Sequence, residues 1–368
     1  MSWPARAARA LDLAFHGGIA LFFLGCAAAL FSDGGAAGGD HITVGLNWVP
    51  ETEHCGFFEA EKAGLYKAAG LNVEIVNGGP DVNLPLLVGS GRMNLGIGTS
   101  FTTLNMQARG IDAITVASFF QKDPQTLVAH GGQGITTLQD MRGRPIMVGN
   151  FARSEFWQFL KATQGFTDDQ LRPYDSNPSA FLADKTAIAQ GYASQDGVML
   201  GTHMPEGMVS LLLADYGFDN YSQTVFGMRG WIEDHHEEVR RFVKATAEGY
   251  RRCTYEPLRP GDETTAMPEI LRRNPEHGVP LYVFKHGKLR SMGFIGGGDA
   301  ARLGIGAMTE ARWHHFYQTM VKAGIYSPTL NWRRAYSLDY VTPDNRVMPP
   351  AATPPAAQPP AQTPEGGR

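Results

Sequence analysis

Cysteine is scarce in this chain, which has only 3 cysteines among 368 residues. So few cysteines cannot build a disulfide scaffold, and the fold must depend on buried apolar cores. Cys26 lies in an N-terminal apolar stretch, whereas Cys55 and Cys253 lie in the body of the sequence. The latter two could pair in an oxidising compartment. No sequence argument brings them together, however, and we expect two independent buried thiols.

The chain also lacks a large excess of charge of either sign. Its 32 Lys and Arg residues nearly balance its 36 Asp and Glu residues, which gives a net charge of −4. The chain therefore has no electrostatic footprint for nucleic acid. A hydrophobic content of 43% excludes a chain that is disordered throughout. At roughly 100–200 residues per domain, the length predicts about two domains.

Long apolar runs are missing as well. The clearest candidate, residues 17–31, is about 15 residues long, short of the roughly 20 that span a bilayer comfortably. Arg6 and Arg9 precede this run and small residues follow it at 32–39, which is the layout of a secretory signal peptide. We expect residues 1–40 to direct export to the periplasm, with an uncleaved N-terminal anchor as the alternative. Lipidation of Cys26 is disfavoured because residues 23–25 form a poor lipobox.

Glycine and proline, in contrast, are abundant, with 44 and 23 residues. Part of this excess lies in residues 346–368, a Pro- and Ala-rich segment that has no large apolar residue from 349 onward. Such a segment cannot bury a core, so we predict a disordered, partly polyproline tail. The folded module is then about residues 41–345.

Apolar runs alternate with amphipathic stretches through this module, which is typical of α/β domains with parallel strands. The first half predicts strands at 41–47, 71–76, 95–98 and 114–120, with helices at 56–69, 82–89 and 100–109. The pattern then restarts, with strands at 145–149, 171–174 and 197–200 and helices at 154–164 and 180–190. Later helices are predicted at 237–252, 267–274, 279–289 and 309–323. We expect two similar α/β lobes and a helical C-terminal section.

Amide, hydroxyl and small residues follow three of the predicted strands, at the sheet edge where open α/β sheets bind ligands. Asn47, Trp48 and His54 follow the first strand. Residues 78–83 follow the second strand and lead into a helix, whose N-terminal N–H groups can hold an anionic or carbonyl group. Residues 98–102 follow the third. Each segment alone is also typical of an ordinary turn or core position, but together they predict a small-molecule cleft.

The order and spacing of seven segments resemble the periplasmic substrate-binding proteins of ABC importers. The resemblance is to the nitrate, sulfonate and taurine type, which includes binders of thiamine pyrimidine precursors. The segments are 47–58, 62–73, 78–83, 87–98, 117–124, 138–148 and 303–313. The resemblance implies a type II periplasmic binding fold, α/β, with two lobes, two crossovers and central mixed sheets flanked by helices. One lobe would comprise 41–125 and 225–345, and the other 126–224.

The resemblance further implies a ligand held between the lobes and delivered to an ABC permease in the inner membrane by a monomeric protein. Trp48 is expected to stack on a flat ring of the ligand or to cover an apolar face of it. Hydrogen bonds would come from Asn47, from Ser100 and from the N–H groups near Val82 and Asn83. Neither a cofactor nor a metal is expected.

From the second lobe, Asn150, Ser154 and Trp157 would complete the site, because they open a helix directly after a strand. Asp196 takes the family's position for a carboxylate after the last strand of that lobe, where it would pair with an amine or amidine. The alternative for Asp196 is a surface turn. The remaining predicted site residues are Glu53 and His54 at the cleft mouth, Gly79 and Gln121. A carboxylate with an aromatic plate favours a cationic or aminopyrimidine-like ligand over an oxyanion.

One branch of this family is enzymatic, the hydroxymethylpyrimidine phosphate synthases, which resemble this chain around residues 87–107. Those enzymes carry a Lys and a His, used for pyridoxal phosphate attachment and as pyrimidine source. Gly98 and Thr102 stand at the matching positions here and supply neither an amine nor an imidazole. Their Cys-rich motif would fall near 225–231, where no Cys occurs. These departures favour a binding protein without catalysis, with the synthase as the alternative.

Overall fold

The structure is a computed structural model, which describes residues 40–174, 177–196, 204 and 206–350. Within these residues, the strands form two five-stranded sheets. The strands of the first sheet are β1 (Asp40–Gly45), β2 (Leu71–Val76), β3 (Leu95–Thr99), β4 (Ala113–Phe120) and β10 (Ser222–Met228). Those of the second sheet are β5 (Gln125–His130), β6 (Ile146–Val148), β7 (Leu171–Pro173), β8 (Ile188–Tyr192) and β9 (Met208–Leu212). We call each sheet with the helices packed on it a lobe.

The two sheets share one topology. The first has the order β2-β1-β3-β10-β4 and the second the order β7-β6-β8-β5-β9. In the first, β1 pairs in parallel with β2 and β3, while β10 runs antiparallel between β3 and β4. In the second, β6 pairs in parallel with β7 and β8, while β5 is antiparallel to β8 and β9. Both sheets are therefore mixed, as the family resemblance implied, rather than wholly parallel.

The α-helices flank these sheets. Those of the first half are α1 (Cys55–Lys62), α2 (Leu65–Ala68), α3 (Leu84–Gly89) and α4 (Ser100–Ala108). They are followed by α5 (Asn150–Arg153), α6 (Phe156–Gln164) and α7 (Ser179–Ala183). The C-terminal section contains α8 (Arg229–Asp234), α9 (His236–Tyr255), α10 (Ala266–Arg273), α11 (Val279–Ser291), α12 (Ala300–Leu303) and α13 (Glu310–Lys322). Within the described ranges, no helix combines the length and the apolar character needed to cross a membrane.

The chain passes between the sheets twice, after β4 and before β10. The first crossover is residues 121–124 and the second is residues 213–221. Two contacts tie the crossovers together: Lys122 Nζ lies 2.7 Å from Asp215 Oδ1, and Asn220 Nδ2 donates to Asp123 Oδ2 at 3.0 Å. The buried carboxylate of Asp123 also accepts from the backbone N–H of Gln125 at 2.9 Å. The two connecting segments are therefore held side by side.

Separate apolar cores support the two lobes. Helices α1, α9, α10 and α11 pack on the first sheet, around a cluster of buried side chains that includes Phe57, Phe119 and Tyr250. A second cluster joins residues of β5, β6 and β8 to Phe101 of α4 and to Trp313 and Phe316 of α13. Helix α13 therefore packs within the core that also supports the second sheet.

Cys55 and Cys253 form a disulfide with a Cα–Cα distance of 6.0 Å, so the expectation of independent thiols is wrong. The reason is the close packing of α1 against α9. A Cβ added at Gly56 would lie 2.0 Å from the Tyr250 ring, and one added at Gly249 would lie 2.1 Å from the Gly56 carbonyl oxygen. Glycine at both positions lets the helices approach until the two sulfur atoms meet.

One other prediction needs correction. The helix predicted at 180–190 ends at Ala183, and Ile188 begins the central strand β8. The apolar residues of β8 were wrongly assigned to a helical face. The predicted strand 197–200 and the N-terminal residues 1–39 lie outside the described residues. Of the predicted tail, residues 346–350 are described, and the Val347 carbonyl accepts a hydrogen bond from Ile305 N–H at 2.8 Å.

Candidate ligand-binding site

A cavity of about 120 Å³ lies between the two lobes. The first lobe contributes the loop after β1 and one residue of β10, and the second contributes the ends of β6, β7 and β8 with the start of β5. The lining residues are Asn47, Trp48, Glu51, Glu53, His54, Gln125, Gly149, Ala152, Tyr174, Gln190, Gly191, Tyr192, Gln195 and Gln223. The lining therefore combines aromatic rings, side-chain amides and two carboxylates.

The loop from residue 46 to residue 54 is held in place by its own imidazole. His54 Nδ1 accepts from the Glu51 backbone N–H at 3.2 Å, so the ring proton is on Nε2, which donates to Asn47 Oδ1 at 3.1 Å. Burial lowers the pKa of His54 to about 4, which keeps the ring neutral. Because Asn47 Oδ1 is occupied, the amide N–H₂ group is what Asn47 has left to offer a ligand.

A buried lysine stands behind the two carboxylates of this loop. Lys285 of α11 is 0% exposed, and its Nζ lies 2.6 Å from Glu51 Oε2 and 2.7 Å from Glu53 Oε2. Its third partner is Gln195 Oε1 of the second lobe, at 2.9 Å. The other carboxylate oxygen of Glu53 accepts a hydrogen bond from the Ser194 hydroxyl, again across the lobes. The cluster Glu51–Glu53–Lys285 therefore joins both lobes beside the cavity.

The pKa values of the two carboxylates in this cluster shift in opposite directions. Burial alone would favour a neutral Lys285, but the two carboxylates outweigh it and hold its pKa above the ordinary value. Burial also acts to raise the pKa of Glu53, but Lys285 and the Ser194 hydroxyl together hold it low. For Glu51, burial and the neighbouring Glu53 charge prevail over Lys285 and raise the pKa. One ammonium thus faces two carboxylates at nearly equal distances.

The second lobe presents amides and aromatic rings from the carboxyl ends of its strands. Gln190 and Tyr192 are two residues apart on β8 and so lie on one face of it. Gln190 Oε1 accepts from the Gly149 backbone N–H at 2.6 Å, which fixes the amide at the cavity wall. Tyr174 follows β7 and Gln125 begins β5. These are the strand ends at which open α/β sheets place ligands.

Gln223 occupies an unusual backbone position on β10. Its φ of 47° lies in the left-handed region, at a point where the pairing of β10 with β3 shifts register between Ser222 and Thr224. Such strain is costly for a residue with a side chain and is often found at ligand sites. The side chain is 2% exposed, and among the described residues its Oε1 atom has no hydrogen-bond partner. This buried carbonyl oxygen at the cavity wall can therefore accept a hydrogen bond from a ligand.

Four of the predicted site residues line this cavity: Asn47, Trp48, Glu53 and His54. Four others line a separate groove that also lies between the lobes: Val82, Asn83, Asn150 and Ser154. Asn150 Nδ2 donates to Asp81 Oδ1 at 3.0 Å across this groove. Gly79 lies in the turn before Asn83, and Asn83 Oδ1 itself accepts the Leu86 N–H at 3.1 Å. The predicted anion-binding helix end is thus capped by its own asparagine.

The remaining four predicted residues lie outside the cavity lining, and each has protein partners. Ser100 Oγ accepts from Tyr221 N–H at 3.2 Å, and Gln121 Nε2 donates to the Ala307 carbonyl at 3.0 Å. Trp157 is buried in the second apolar cluster and donates to Asp168 at 2.8 Å.

Asp196 is the last of these four. It is buried rather than at the surface, and it accepts hydrogen bonds from Thr126 Oγ1 at 2.7 Å, Ser210 Oγ at 2.6 Å and Tyr192 N–H at 2.8 Å. Its carboxylate stabilises the turn after β8.

Several cavity residues were not foreseen from the sequence. Glu51 stood beside predicted residues, and its acidic side chain in a strand-end loop was a usable signal. Gln190 and Tyr192 were hidden by the wrong helix at 180–190. Lys285 sits in a correctly predicted helix, but nothing local distinguishes it from a surface lysine. Gln223 gave no signal because the sequence did not predict β10.

Glu155 joins the lobes at a second point. It follows α5 and is 5% exposed, and its carboxylate accepts from Thr102 Oγ1 at 2.6 Å and Thr99 Oγ1 at 3.0 Å, both in the first lobe. Burial and the Asp123 charge raise the pKa of Glu155 to about 8, although the two hydroxyl groups act to lower it. The lobes are thus held together by polar contacts on both sides of the cavity.

Two mixed sheets of matched topology, two crossovers and a cavity between the lobes define the periplasmic binding protein fold. A solved Candida albicans gene product, described as exhibiting the generic form of that fold, superposes with a TM-score of 0.57. The match has 14% sequence identity and covers 85% of this chain and 98% of that chain.

The sequence model of the family described as NMT1/THI5 like matches residues 51–259, more than half of the chain. The protein belongs to that family.

Two curated relatives to which the chain is similar differ in their named functions. The yeast (Saccharomyces cerevisiae) 4-amino-5-hydroxymethyl-2-methylpyrimidine phosphate synthase THI11 is 32% identical over 124 residues. That match covers 33% of this chain and 36% of the synthase, so it spans only about a third of that relative's length. The riboflavin-binding protein RibY of Chloroflexus aurantiacus is 24% identical over 309 residues, which cover 82% of this chain and 86% of RibY.

Proposed function

We propose that this protein is the solute-binding component of an ABC uptake system. In this proposal it captures a small nitrogenous or heteroaromatic compound, similar to a pyrimidine precursor, between its lobes and delivers it to a membrane permease without chemical change. The observation that carries the proposal is the composition of the cavity, in which aromatic rings and side-chain amides from both lobes surround one small volume.

The cavity lining suits a flat ring with nitrogen atoms at its edge. Trp48, Tyr174 and Tyr192 supply aromatic faces. Amides both donate and accept, and paired contacts of this kind are how Asn and Gln recognise the amino and ring nitrogens of adenine. A volume of about 120 Å³ is smaller than the roughly 300–1,000 Å³ of drug-sized pockets, which favours a single ring over a fused three-ring system.

Lobe closure about the two crossovers would admit and release the ligand. The crossovers lie side by side, as the Lys122–Asp215 and Asp123–Asn220 contacts indicate, so both could bend as one hinge. Contacts such as Thr102 to Glu155 span the lobes and would break on opening. The closed state therefore includes polar contacts that a bound ligand would supplement.

Export supports the transport assignment. Residues 1–40 have the layout of a signal peptide. The Cys55–Cys253 disulfide is a bond that persists in oxidising compartments such as the periplasm and is rare in the cytosol.

The synthase activity is the second candidate, because the yeast synthase is 32% identical over part of the chain. Pyridoxal phosphate needs a lysine amine for attachment, and the buried Lys285 is the amine beside the cavity. Its Nζ is held by Glu51 and Glu53, and its pKa is raised, so it lacks the free amine that attachment requires. At Gly98, a Cβ would lie 2.7 Å from Thr102 Oγ1, so a lysine there would displace its neighbour. The residues present do not fit the cofactor.

A thermal-shift panel separates these candidates. The panel should include 4-amino-5-hydroxymethyl-2-methylpyrimidine, simple aminopyrimidines, aliphatic amines, riboflavin and alkanesulfonates. We expect a single-ring pyrimidine to raise the melting temperature in a concentration-dependent manner, because a ligand that binds only the folded state stabilises it by mass action. No response to any compound would contradict the proposal. An aldimine absorbance band after addition of pyridoxal phosphate would instead support the synthase.

A further inference from the structure

Resting on the proposed function, we infer that the ligand presents a positively charged or amidine-like N–H group and that Glu51 binds it. In this assignment Lys285 is a positioning residue that does not touch the ligand. The inference concerns the charge of the ligand and the residue that binds the charged group. The fold determines neither of them.

The charge balance of the cavity is the first argument. Two carboxylates, Glu51 and Glu53, line it, and among the described lining residues there is no Lys or Arg. Lys285 behind them supplies one positive charge. With both carboxylates ionised, one negative charge is left without a full counterion in a mostly buried setting, where unpaired charge is costly. A cationic ligand would supply the missing charge, whereas an anion would add to the excess.

Lys285 itself has no capacity left for a ligand. An ammonium group has three N–H donors, and Glu51, Glu53 and Gln195 place three acceptor oxygens within 2.9 Å of Nζ. The side chain is 0% exposed. An anionic ligand would therefore have to displace one of these partners to reach it. The geometry is that of a lysine that orients carboxylates.

Glu51 is the carboxylate better placed for a ligand. Glu53 is 3% exposed and is held on one oxygen by Lys285 and on the other by Ser194. Glu51 is 18% exposed, and its side-chain contact with Lys285 is made through Oε2. Burial and the neighbouring Glu53 charge raise the pKa of Glu51, although Lys285 acts to lower it.

A second acceptor lies at the same cavity. Gln223 Oε1 is buried and lines the cavity, and within the part of the chain that the structure describes it has no hydrogen-bond partner. A carboxylate and an amide oxygen together suit a group that donates two or more N–H bonds, such as an amidinium or an aminopyrimidine edge. An ether, a carboxylate or a sulfonate would leave the Gln223 oxygen unsatisfied, which disfavours binding because a buried acceptor without a donor is costly.

Three probes of nearly equal shape that differ in charge and in N–H donors test the inference: benzamidine, benzamide and benzoate. Calorimetric titration of the folded full chain at neutral pH should give affinities in that order, with benzamidine at least tenfold tighter than benzamide. In Glu51→Gln, which keeps the side-chain shape, the preference for benzamidine should fall to within about twofold. Glu59→Gln is the matched control, since Glu59 is also buried but accepts only from the Ala266 N–H outside the cavity, and it should keep the wild-type preference.

The outcomes separate the inference from the function on which it rests. Wild-type binding of ring compounds with benzoate equal to or tighter than benzamidine would overturn the inference, as would a benzamidine preference that survives in Glu51→Gln. In folded Lys285→Met, a fall in the ratio of benzamidine to benzoate affinity would overturn the positioning role, because removal of a counterion should raise that ratio. No binding of these probes or of 4-aminopyrimidine would overturn the proposed function itself.

Discussion

Nζ of Lys285 lies 2.6 Å from Oε2 of Glu51, although the two residues are 234 positions apart in the chain. The contact ties the cavity loop of the first lobe to helix α11, and Gln195 extends it to the second lobe. The shape of the loop is therefore set by tertiary contacts rather than by its local sequence.

Replacement of Lys285 by Met should destabilise the fold by about 3–5 kcal/mol, because it leaves two buried carboxylates without their counterion. The measurement is urea unfolding at neutral pH. Lys161→Met is the control, since Lys161 forms a partly exposed pair with Asp168 at 3.0 Å. That pair should be worth at most about 1 kcal/mol. If both substitutions lowered the free energy of unfolding by the same amount, the buried cluster would contribute no more to stability than an exposed ion pair.

The Cys55–Cys253 disulfide should stabilise the chain substantially, because its two ends are 198 residues apart in sequence. In the chain-entropy account, closing so long a loop is worth up to about 5 kcal/mol. Unfolding midpoints of the wild type and of the double variant Cys55→Ser, Cys253→Ser should differ accordingly. Reductant should lower the midpoint of the wild type only. An unchanged midpoint under reductant would argue against the bond.

The two tryptophans of the predicted site should behave differently. Trp48→Ala should weaken binding of a pyrimidine probe by about tenfold or more, since an aromatic contact and its buried area are lost. Trp157→Phe should leave the dissociation constant within about twofold and lower the unfolding midpoint, because Trp157 is 1% exposed in the second core. If Trp157→Phe weakened binding and Trp48→Ala did not, the ligand would lie near Trp157 instead.

Glu155 should make stability fall as pH rises. Its pKa is about 8 in the folded state against an ordinary 4.5, so between these values the unfolded chain is ionised while the folded carboxyl keeps its proton. Glu155→Gln lacks this penalty. Its stability relative to wild type should therefore increase from pH 5 to pH 9 by about 4 kcal/mol and level off above pH 8. Urea unfolding at both pH values is the measurement, and a pH-independent difference would contradict the assignment.

The alternation of apolar runs and amphipathic stretches predicted the α/β class and the strands β1 to β4, β6 and β7, because such alternation is a strong local signal. Strand β10 was missed because it follows a turn-rich crossover and inserts antiparallel between β3 and β4, a pairing that only the tertiary fold decides. The helix wrongly predicted at 180–190 shows the same limit, since a short apolar run fits either structure.

The candidate site divides in a similar way. Asn47, Trp48, Glu53 and His54 could be found because a strand end fixes where a loop emerges. Lys285 and Gln223 could not, because they reach the cavity by long-range packing of α11 and by a register shift in β10. Asp196 had the expected position in the chain, but Thr126 and Ser210 occupy its carboxylate.

The central claim is that the cavity between the lobes captures a single-ring nitrogenous compound. Isothermal titration of the full chain with 4-amino-5-hydroxymethyl-2-methylpyrimidine, in parallel with Trp48→Ala and Trp157→Phe, tests it most directly. The account predicts one-to-one binding to the wild type and to Trp157→Phe, with at least tenfold weaker binding to Trp48→Ala. No binding heat with this compound and its aminopyrimidine analogues, or equal affinity in all three proteins, would contradict it.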